Sequence, residues 1–561
     1  MEKDPAHSTN TLLTLRSPGQ TVTVPHEEGA TILEALAGEP TVSIAAPCGG
    51  RARCGKCAVR VLAPRPAPEP SPADRRFLSD DELARGLRLA CTCNAGLVTE
   101  LEAPREYRDA SIKGELPSFK EPASTSPEIA GRGAFAAAID IGTTTVAAFL
   151  VESATGEAVD VLARMNRQSV YGADVLSRIA YAEEHGLDSV AGAIRAQLDA
   201  MLGELADRNG AGRGDIGTVV IAGNTTMLHF VAAEDVSGIG RAPFMPIFIE
   251  ARTYPAAELE LHVAPGGRAL LLPSVSAYVG ADIVAAAVAA ELDRSPETTL
   301  LVDIGTNGEL ALRHGDALWA CSTAAGPAFE GASISAGVGG ISGAIRNWER
   351  RESTFRFETI GGAEAVGVCG SGLLDLMATL LSDAAVDETG RMVGPGELDE
   401  VIDPRAYESR IVADTGGEPA FEMAGPYRFT QKDVREVQLA KAAIAAGIDT
   451  LLEQAEISAM DLDRVVLTGG FGHHLRISSA VRVGLLPDLD LRRFEPISNG
   501  AGTGALMVLR DRQVSDRMSR LQSEIRYIEL SGHPFFQDAY IDHMTFPEKE
   551  AISGKRDYQG G

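Results

Sequence analysis

Four apolar runs in this chain end in the same way. FAAAIDIG (135–142), TVVIAG (218–223), LLVDIG (300–305) and RVVLTGG (464–470) are almost continuously hydrophobic, and each stops at glycine. A run of this length without polar alternation predicts a strand buried on both faces, as in layered α/β folds. Two of the four carry Asp-Ile-Gly-Thr verbatim, at 140–143 and 303–306, and a second apolar run follows each. DIGTVVIAGNTTMLHFVAA (215–233) predicts strand, tight turn and helix, and RVVLTGGFG (464–472) resembles its opening. The pattern predicts a diverged repeat: two related α/β halves between 134 and about 545. Helical periodicity predicts helices over 172–186 and 188–208.

Before residue 105 the pattern is different. TLLTLRSPGQTVTV (11–24) predicts two strands around a Ser-Pro-Gly turn, and TILEALAG (31–38) a short helix stopped by glycine. AVRVLAP (58–64) and LVTELE (97–102) predict strands, PRPAPEPSPAD (64–74) a surface loop, and DDELARGLRLAC (80–91) a helix reaching a cysteine. A small β-rich unit of this kind is a β-grasp. Residues 105–133 are rich in proline, serine and glycine without hydrophobic period, as in a linker. The expected division is therefore 10–104, a linker over 105–133, a first half over 134–295 and a second over 296–545.

Charge narrows the partners. The 561 residues carry a net charge of −27. Residues 1–104 hold 11 Lys and Arg against 13 Asp and Glu, a net of −2, so −25 lies in the remainder. So acidic a body repels nucleic acid and anionic membranes. No apolar run has the length of a membrane span, and the N-terminus lacks a secretory pattern. The expected location is cytoplasmic, where the seven cysteines stay out of disulfides.

Three of those cysteines, Cys48, Cys54 and Cys57, have C-x5-C-x2-C spacing, and Cys91 follows 34 residues later. Three close thiolates with one distant suit a [2Fe–2S] cluster held on a loop. A structural zinc site is the alternative, but it prefers two close pairs, and the second would be the cramped Cys91 and Cys93. RLAC resembles the ferredoxin context of a fourth ligand, which favours Cys91 and leaves Cys93 a spectator. Cys321 and Cys369, in apolar glycine-rich surroundings, are expected to be small buried hydrophobes.

A strand ending in Asp, then Gly-Thr, aims backbone N–H and hydroxyl groups at an anion, while the aspartate can hold Mg²⁺. The candidate phosphate loops are Asp140 with Gly142, Thr143 and Thr144, and Asp303 with Gly305, Thr306 and Asn307. Gly469 and Gly470 suit close approach of a nucleotide. STAAGPAFEGA (322–332) adds Gly326 and Glu330, and CGSGLLDL (369–376) adds Asp375; either acid could position water or simply serve as a cap. One of His473 and His474 could border the nucleoside. Asp174 and Arg178, at i and i+4, read as a surface ion pair.

The order of these loops resembles the superfamily of actin, sugar kinases and Hsp70. NRQSVYGADVLSRI (166–179), VIAGNTTMLHF (220–230), CSTAAGPAFEGASIS (321–335), TQKDVREVQLAKAAI (430–444) and RYIELSGHPFF (526–536) complete a chain-long likeness. With its cysteine-rich N-terminal unit, the chain resembles the reductive activators of corrinoid-dependent methyltransferases. That resemblance implies a [2Fe–2S] ferredoxin domain, a linker and an actin-like ATPase that binds ATP and Mg²⁺. The residues taken as catalytic are Asp140, Asp303 and Glu330, on the loop positions given above. The resemblance also implies transfer of one electron to an inactive Co(II) corrinoid protein, restoring Co(I), with an unidentified electron donor and a homodimeric state. Plant-type clusters sit near roughly −400 mV. Each 100 mV uphill costs about 2.3 kcal/mol for one electron, so ATP must be coupled to the transfer. Competing readings are an ATP-driven donor to a non-corrinoid acceptor and a redox-sensing nucleotide-binding regulator.

Overall fold

The computed structural model describes residues 11–17, 20–37, 44, 46, 50–52, 55, 57–102, 116–117, 119, 133–414, 416–470 and 475–548. The chain divides into two units, one of residues 1–116, 125–248 and 252–271, the other of 117–124, 249–251 and 272–561.

The first unit opens with strands β1 (Thr11–Ser17), β2 (Gln20–His26), β3 (Ala58–Ala63), β4 (Leu87–Leu89) and β5 (Glu100–Glu102), ordered β2-β1-β5-β3-β4. β1 runs parallel to β5 and the other pairs are antiparallel, the expected β-grasp. Helix Ile32–Ala37 closes the sheet by burying Ile32, Leu33 and Leu36 with Leu13, Leu15 and Leu101.

Two local expectations need correction. The helix expected over 80–91 ends at Ala84; the chain turns at Gly86, and Leu87–Leu89 becomes β4 on β3. Leu87 and Leu89 flank Arg88 with the two-residue period of a strand, and burial of Leu89 outweighed helix propensity. The proline-rich segment is not all loop. Ser71 caps a helix at Pro72–Phe77 through a capping box with Asp74, whose other oxygen accepts the Leu89 N–H at 2.6 Å.

The unit continues with β6 (Phe135–Ile141), β7 (Thr145–Glu152), β8 (Ala158–Met165), β9 (Ile216–Gly223), β10 (Arg252–Pro255) and β11 (Arg268–Leu271). Their order is β10-β11-β9-β6-β7-β8. Helices Val175–His185 and Asp188–Arg208 form close to the expected ranges.

The second unit repeats the plan. β12 (Thr299–Ile304), β13 (Gly308–His314) and β14 (Ala317–Thr323) form its antiparallel meander. Two small sheets follow: β15 (Ala344–Arg351), β16 (Thr354–Thr359) and β17 (Gly367–Val368), then β18 (Ile411–Ala413), β19 (Pro419–Glu422) and β20 (Arg428–Thr430). β21 (Arg464–Thr468), β22 (Phe494–Pro496) and β23 (Ile525–Tyr527) complete the main sheet as β22-β21-β12-β13-β14-β23. In both sheets the first strand, β6 or β12, lies between an antiparallel hairpin and a parallel partner, β9 or β21. Asp140 and Asp303 hold the same penultimate position of those first strands. The repeat seen in the apolar runs is thus a repeat of topology.

Helix Ala281–Ala289 packs on helix Gly500–Arg510, where a Cβ on Gly504 would strike the Ala285 carbonyl. Only glycine allows backbones so close. Among the described residues no helix is long and apolar enough to cross a membrane.

Candidate functional site: a thiol pair and two phosphate loops

Cys57 and Cys91 are buried with their sulfurs 3.3 Å apart and no disulfide between them. They arrive from the start of β3 and from the turn after β4, joined by a hydrogen bond from the Ala90 N–H to the Cys57 carbonyl. Such a dry thiol pair fits an iron site, where ligation removes the protons. Cys93 is also buried, its sulfur near its neighbour's carbonyl, Asn94 O, at 4.0 Å. Burial, reinforced by the Asp74 charge, pushes its thiol up to about 11, which suits a bystander. Cys48 and Cys54 lie outside the described residues. Cys321 and Cys369 are buried.

The first candidate phosphate loop is held from behind by a segment to which sequence reasoning gave no function. Gly142 N–H donates to the Thr145 carbonyl at 2.9 Å, closing the turn. Three successive carbonyls are then engaged. Asn166 Nδ2 donates to Gly142 O at 2.8 Å, an Arg178 guanidinium nitrogen to Thr143 O at 2.6 Å, and the Asn166 backbone N–H to Thr144 O at 2.8 Å. In a trans peptide the N–H points opposite to the C=O, so the amides of Thr143, Thr144 and Thr145 face away from this clamp. The Thr143 amide is placed to meet an anion.

Arg178 is therefore no surface ion-pair partner. It is fully buried, with Nε also donating to Gly172 O at 2.9 Å. Asp174 instead caps the helix by accepting the Ser177 N–H at 2.7 Å. The i,i+4 spacing suggested a salt bridge because it says nothing of which side is buried.

The second loop is built differently. Gly305 N–H donates to Asn307 O at 3.0 Å, and Thr306 Oγ1 donates to Glu330 Oε2 at 2.5 Å. The structure thus brings Thr306 and Glu330 together across 24 residues. The Glu330 turn is anchored further on, where buried Asp433 accepts the Ser335 N–H at 2.7 Å and its hydroxyl at 3.0 Å. Gly326 stands in the same turn with φ +77°.

Asp303 pairs across the sheet with Glu309 on one side and Thr468 on the other. The equivalent neighbour of Asp140 on the first hairpin is Ala147. Glu309 is a residue the sequence reading missed, and Asp282 in helix Ala281–Ala289 is another. Burial first, then the charges of Asp282 and Asp303, hold the Glu309 carboxyl well above the usual carboxylate range. Loss of hydration lifts Asp282 to about 6. Two neighbouring acids thus act on Glu309 by charge, while among the described residues no group of three such side chains stands in the geometry to hold a metal ion.

Gly469 follows β21 with φ +98°; a Cβ there would come 2.5 Å from Asp303 Oδ1 and strike the Ile304 carbonyl. Gly470 has open space around its Cα. The Thr468 hydroxyl accepts the Gly500 N–H at 2.7 Å, tying this turn to helix Gly500–Arg510. Asp375 is committed elsewhere, accepting from the Ser479 hydroxyl at 2.6 Å and the Trp348 N–H at 3.2 Å. His473 and His474 lie outside the described residues.

Residues 297–554 match the family model described as the C-terminal domain of RACo, the ASKHA domain, residues 135–295 the RACo middle region, and residues 15–96 a 2Fe-2S iron-sulfur cluster binding domain. The corrinoid activation enzyme RamQ of Eubacterium limosum is 32% identical over 425 residues, 74% of this chain and 71% of that protein. The chain belongs to this family of corrinoid activation enzymes.

The family likeness extends to structure. A solved reductive activator for corrinoid, iron-sulfur protein superposes with a TM-score of 0.68 at 27% identity, covering 96% of this chain and 98% of that one. A Methanosarcina barkeri reductase of a Co(II) methylated amine-specific corrinoid protein is 28% identical over 262 residues, 42% of this chain and 44% of the relative. The Asn166–Arg178 clamp and the Asp303 loop fall within regions matched by the family models, as does most of the β-grasp unit, whose strand β5 lies just beyond the matched residues 15–96.

Proposed function

We propose that this chain is an ATP-dependent reductive activator that delivers one electron to the Co(II) state of a corrinoid protein and so returns it to Co(I). The observation that carries the reading is the union, in one chain, of an iron–sulfur unit with the two regions of this family, supported by a 32% identical relative named for corrinoid activation. The assigned domains are 10–104, the linker 105–133, and the halves 134–295 and 296–545.

Cys48, Cys54, Cys57 and Cys91 would hold the [2Fe–2S] cluster, which when bound supplies a one-electron carrier. Thr143 and Thr144, with the amides of Thr306, Asn307 and Gly326, bind phosphate oxygens, while Gly142 and Gly305 close the turns that present them. Gly469 and Gly470 leave room beside the nucleoside. Asp303 would hold magnesium, whose charge neutralises phosphate oxygens. Asp140 serves as the corresponding acid of the first loop. Glu330 orients water, its carboxylate steadied by the Thr306 hydroxyl. The chain works in the cytoplasm as a homodimer that draws electrons from an unidentified donor.

The test is anaerobic. Chemically reduced protein is mixed with a Co(II) corrinoid protein, and Co(I) absorption is followed with ATP, with a non-hydrolysable analogue and with neither. Co(I) accumulating only with hydrolysable ATP is expected. Equal Co(I) in all three mixtures would remove ATP from the mechanism.

A further inference from the structure

The clamp behind the first phosphate loop has a second end. Asn166, which holds two of the loop carbonyls, opens the short turn Arg167–Val170. Val170, at the far end of that turn, packs on the core of the chain's own iron–sulfur unit. The β-grasp helix Ile32–Ala37 lies against the same turn. One step further on, Arg178 holds the third carbonyl, and Tyr181 is close enough to Glu34 of that β-grasp helix for the Glu34 charge, after burial, to raise its phenol. Tyr181 is itself bracketed by Tyr171, with ring centroids 4.9 Å away, and by His185, stacked at 4.3 Å.

The turn between these two ends is stiffly mounted. Arg167 N–H donates to Gln197 Oε1 at 2.9 Å, and Gln197 Nε2 donates back to Met165 O at 2.8 Å. Gln168, fully buried, donates to Val190 O at 3.0 Å. A displacement at one end of so short a braced segment is felt at the other.

We propose that residues 166–185 form the docking surface on this α/β sheet for the chain's own iron–sulfur unit, and that docking there is thermodynamically linked to phosphate binding at residues 142–144. This rests on the nucleotide reading of that loop. The sign follows from the peptide groups. The peptide whose carbonyl Asn166 Nδ2 holds is the one whose N–H belongs to Thr143. An anion on that amide polarises the same peptide and strengthens the carbonyl bond behind it, because hydrogen bonds in a chain reinforce one another. Phosphate at the loop therefore tightens the clamp and favours the docked iron–sulfur unit. By reciprocity, docking raises nucleotide affinity by the same factor.

The experiment uses the full-length, cluster-loaded protein. Amide hydrogen exchange is followed in peptides covering 30–37 and 166–171, with and without the magnesium complex of a non-hydrolysable ATP analogue. Calorimetry measures binding of the analogue independently. The expected result is slower exchange in both peptides when the analogue binds. In Val170→Asp the slowing over 30–37 disappears and the analogue binds more weakly, by at least about fivefold, the low end of ordinary allosteric coupling. Binding without any response over 30–37 in the unaltered protein overturns the linkage and leaves the nucleotide reading standing. Failure to bind the analogue at all overturns both, and calorimetry tells the two failures apart. The unaltered protein carries the decision should Val170→Asp fold poorly.

Discussion

Arg178→Lys asks how much the clamp contributes. The substitution keeps the charge but loses the planar fork, and one ammonium cannot reproduce Arg178's bonds to Thr143 O at 2.6 Å and Gly172 O at 2.9 Å. One charge-assisted bond is lost, worth about 1.5–3 kcal/mol, and a buried carbonyl is left without its donor. Taking about 2 kcal/mol, and about 2–4 °C per kcal/mol for a unit of this size, melting should fall by roughly 4–8 °C. The loop loses part of its support as well, so nucleotide affinity should fall by about tenfold, equivalent to about 1.4 kcal/mol. Thermal denaturation by circular dichroism and calorimetric titration with an ATP analogue measure the two effects. A variant that melts within about 1 °C of the parent and binds nucleotide equally well would show that Arg178 does not hold the loop.

Three further outcomes are expected. Cys57→Ser and Cys91→Ser should each abolish the visible cluster absorption with nucleotide binding intact, whereas Cys93→Ser should keep the spectrum; loss of colour in Cys93→Ser alone would reassign the fourth ligand. Asp303→Ala should abolish ATP hydrolysis while leaving the cluster spectrum unchanged, and a variant losing both properties would contradict the separation of the two sites. The raised carboxyls of Asp282 and Glu309 give the third: because their folded values lie above the ordinary carboxylate range, ionising them costs folded-state stability. Metal-free protein should therefore lose stability as pH rises from that range through about 6, the value for Asp282, and Glu309→Gln should flatten the slope; parallel melting curves for parent and variant across that window would refute the cluster's role.

Much of the fold was legible because it is written in short-range patterns. The continuous apolar runs marked β6, β9, β12 and β21, and the repeated Asp-Ile-Gly-Thr marked the equivalence of the two sheets. What escaped depends on long-range placement. The burial of Arg178 is decided by the loop it meets 35 residues away, not by its helical neighbours. Glu309 and Asp282 meet only because β13 and helix Ala281–Ala289 converge, and neither sits in a glycine-rich turn that would draw attention to it. The short helix and strand around residues 72–89 escaped for a different reason: a proline-rich run reads as loop although Pro72 starts a helix, and the helical reading of 80–91 runs through Gly86, which separates a helix from a strand.

The glycine seam between helices Gly500–Arg510 and Ala281–Ala289 bears on how the acidic cluster handles its charge. Through Gly504 on Ala285, and Gly500 on the Thr468 hydroxyl, the helix carrying Asp282 is bolted to the strand end beside Asp303. Three acids on one rigid frame cannot swing apart to relieve their repulsion. Their remaining outlet is chemical: they retain a proton. The magnesium proposed beside Asp303 would expel such protons on binding, so its grip is expected to strengthen in alkaline solution and weaken in acid.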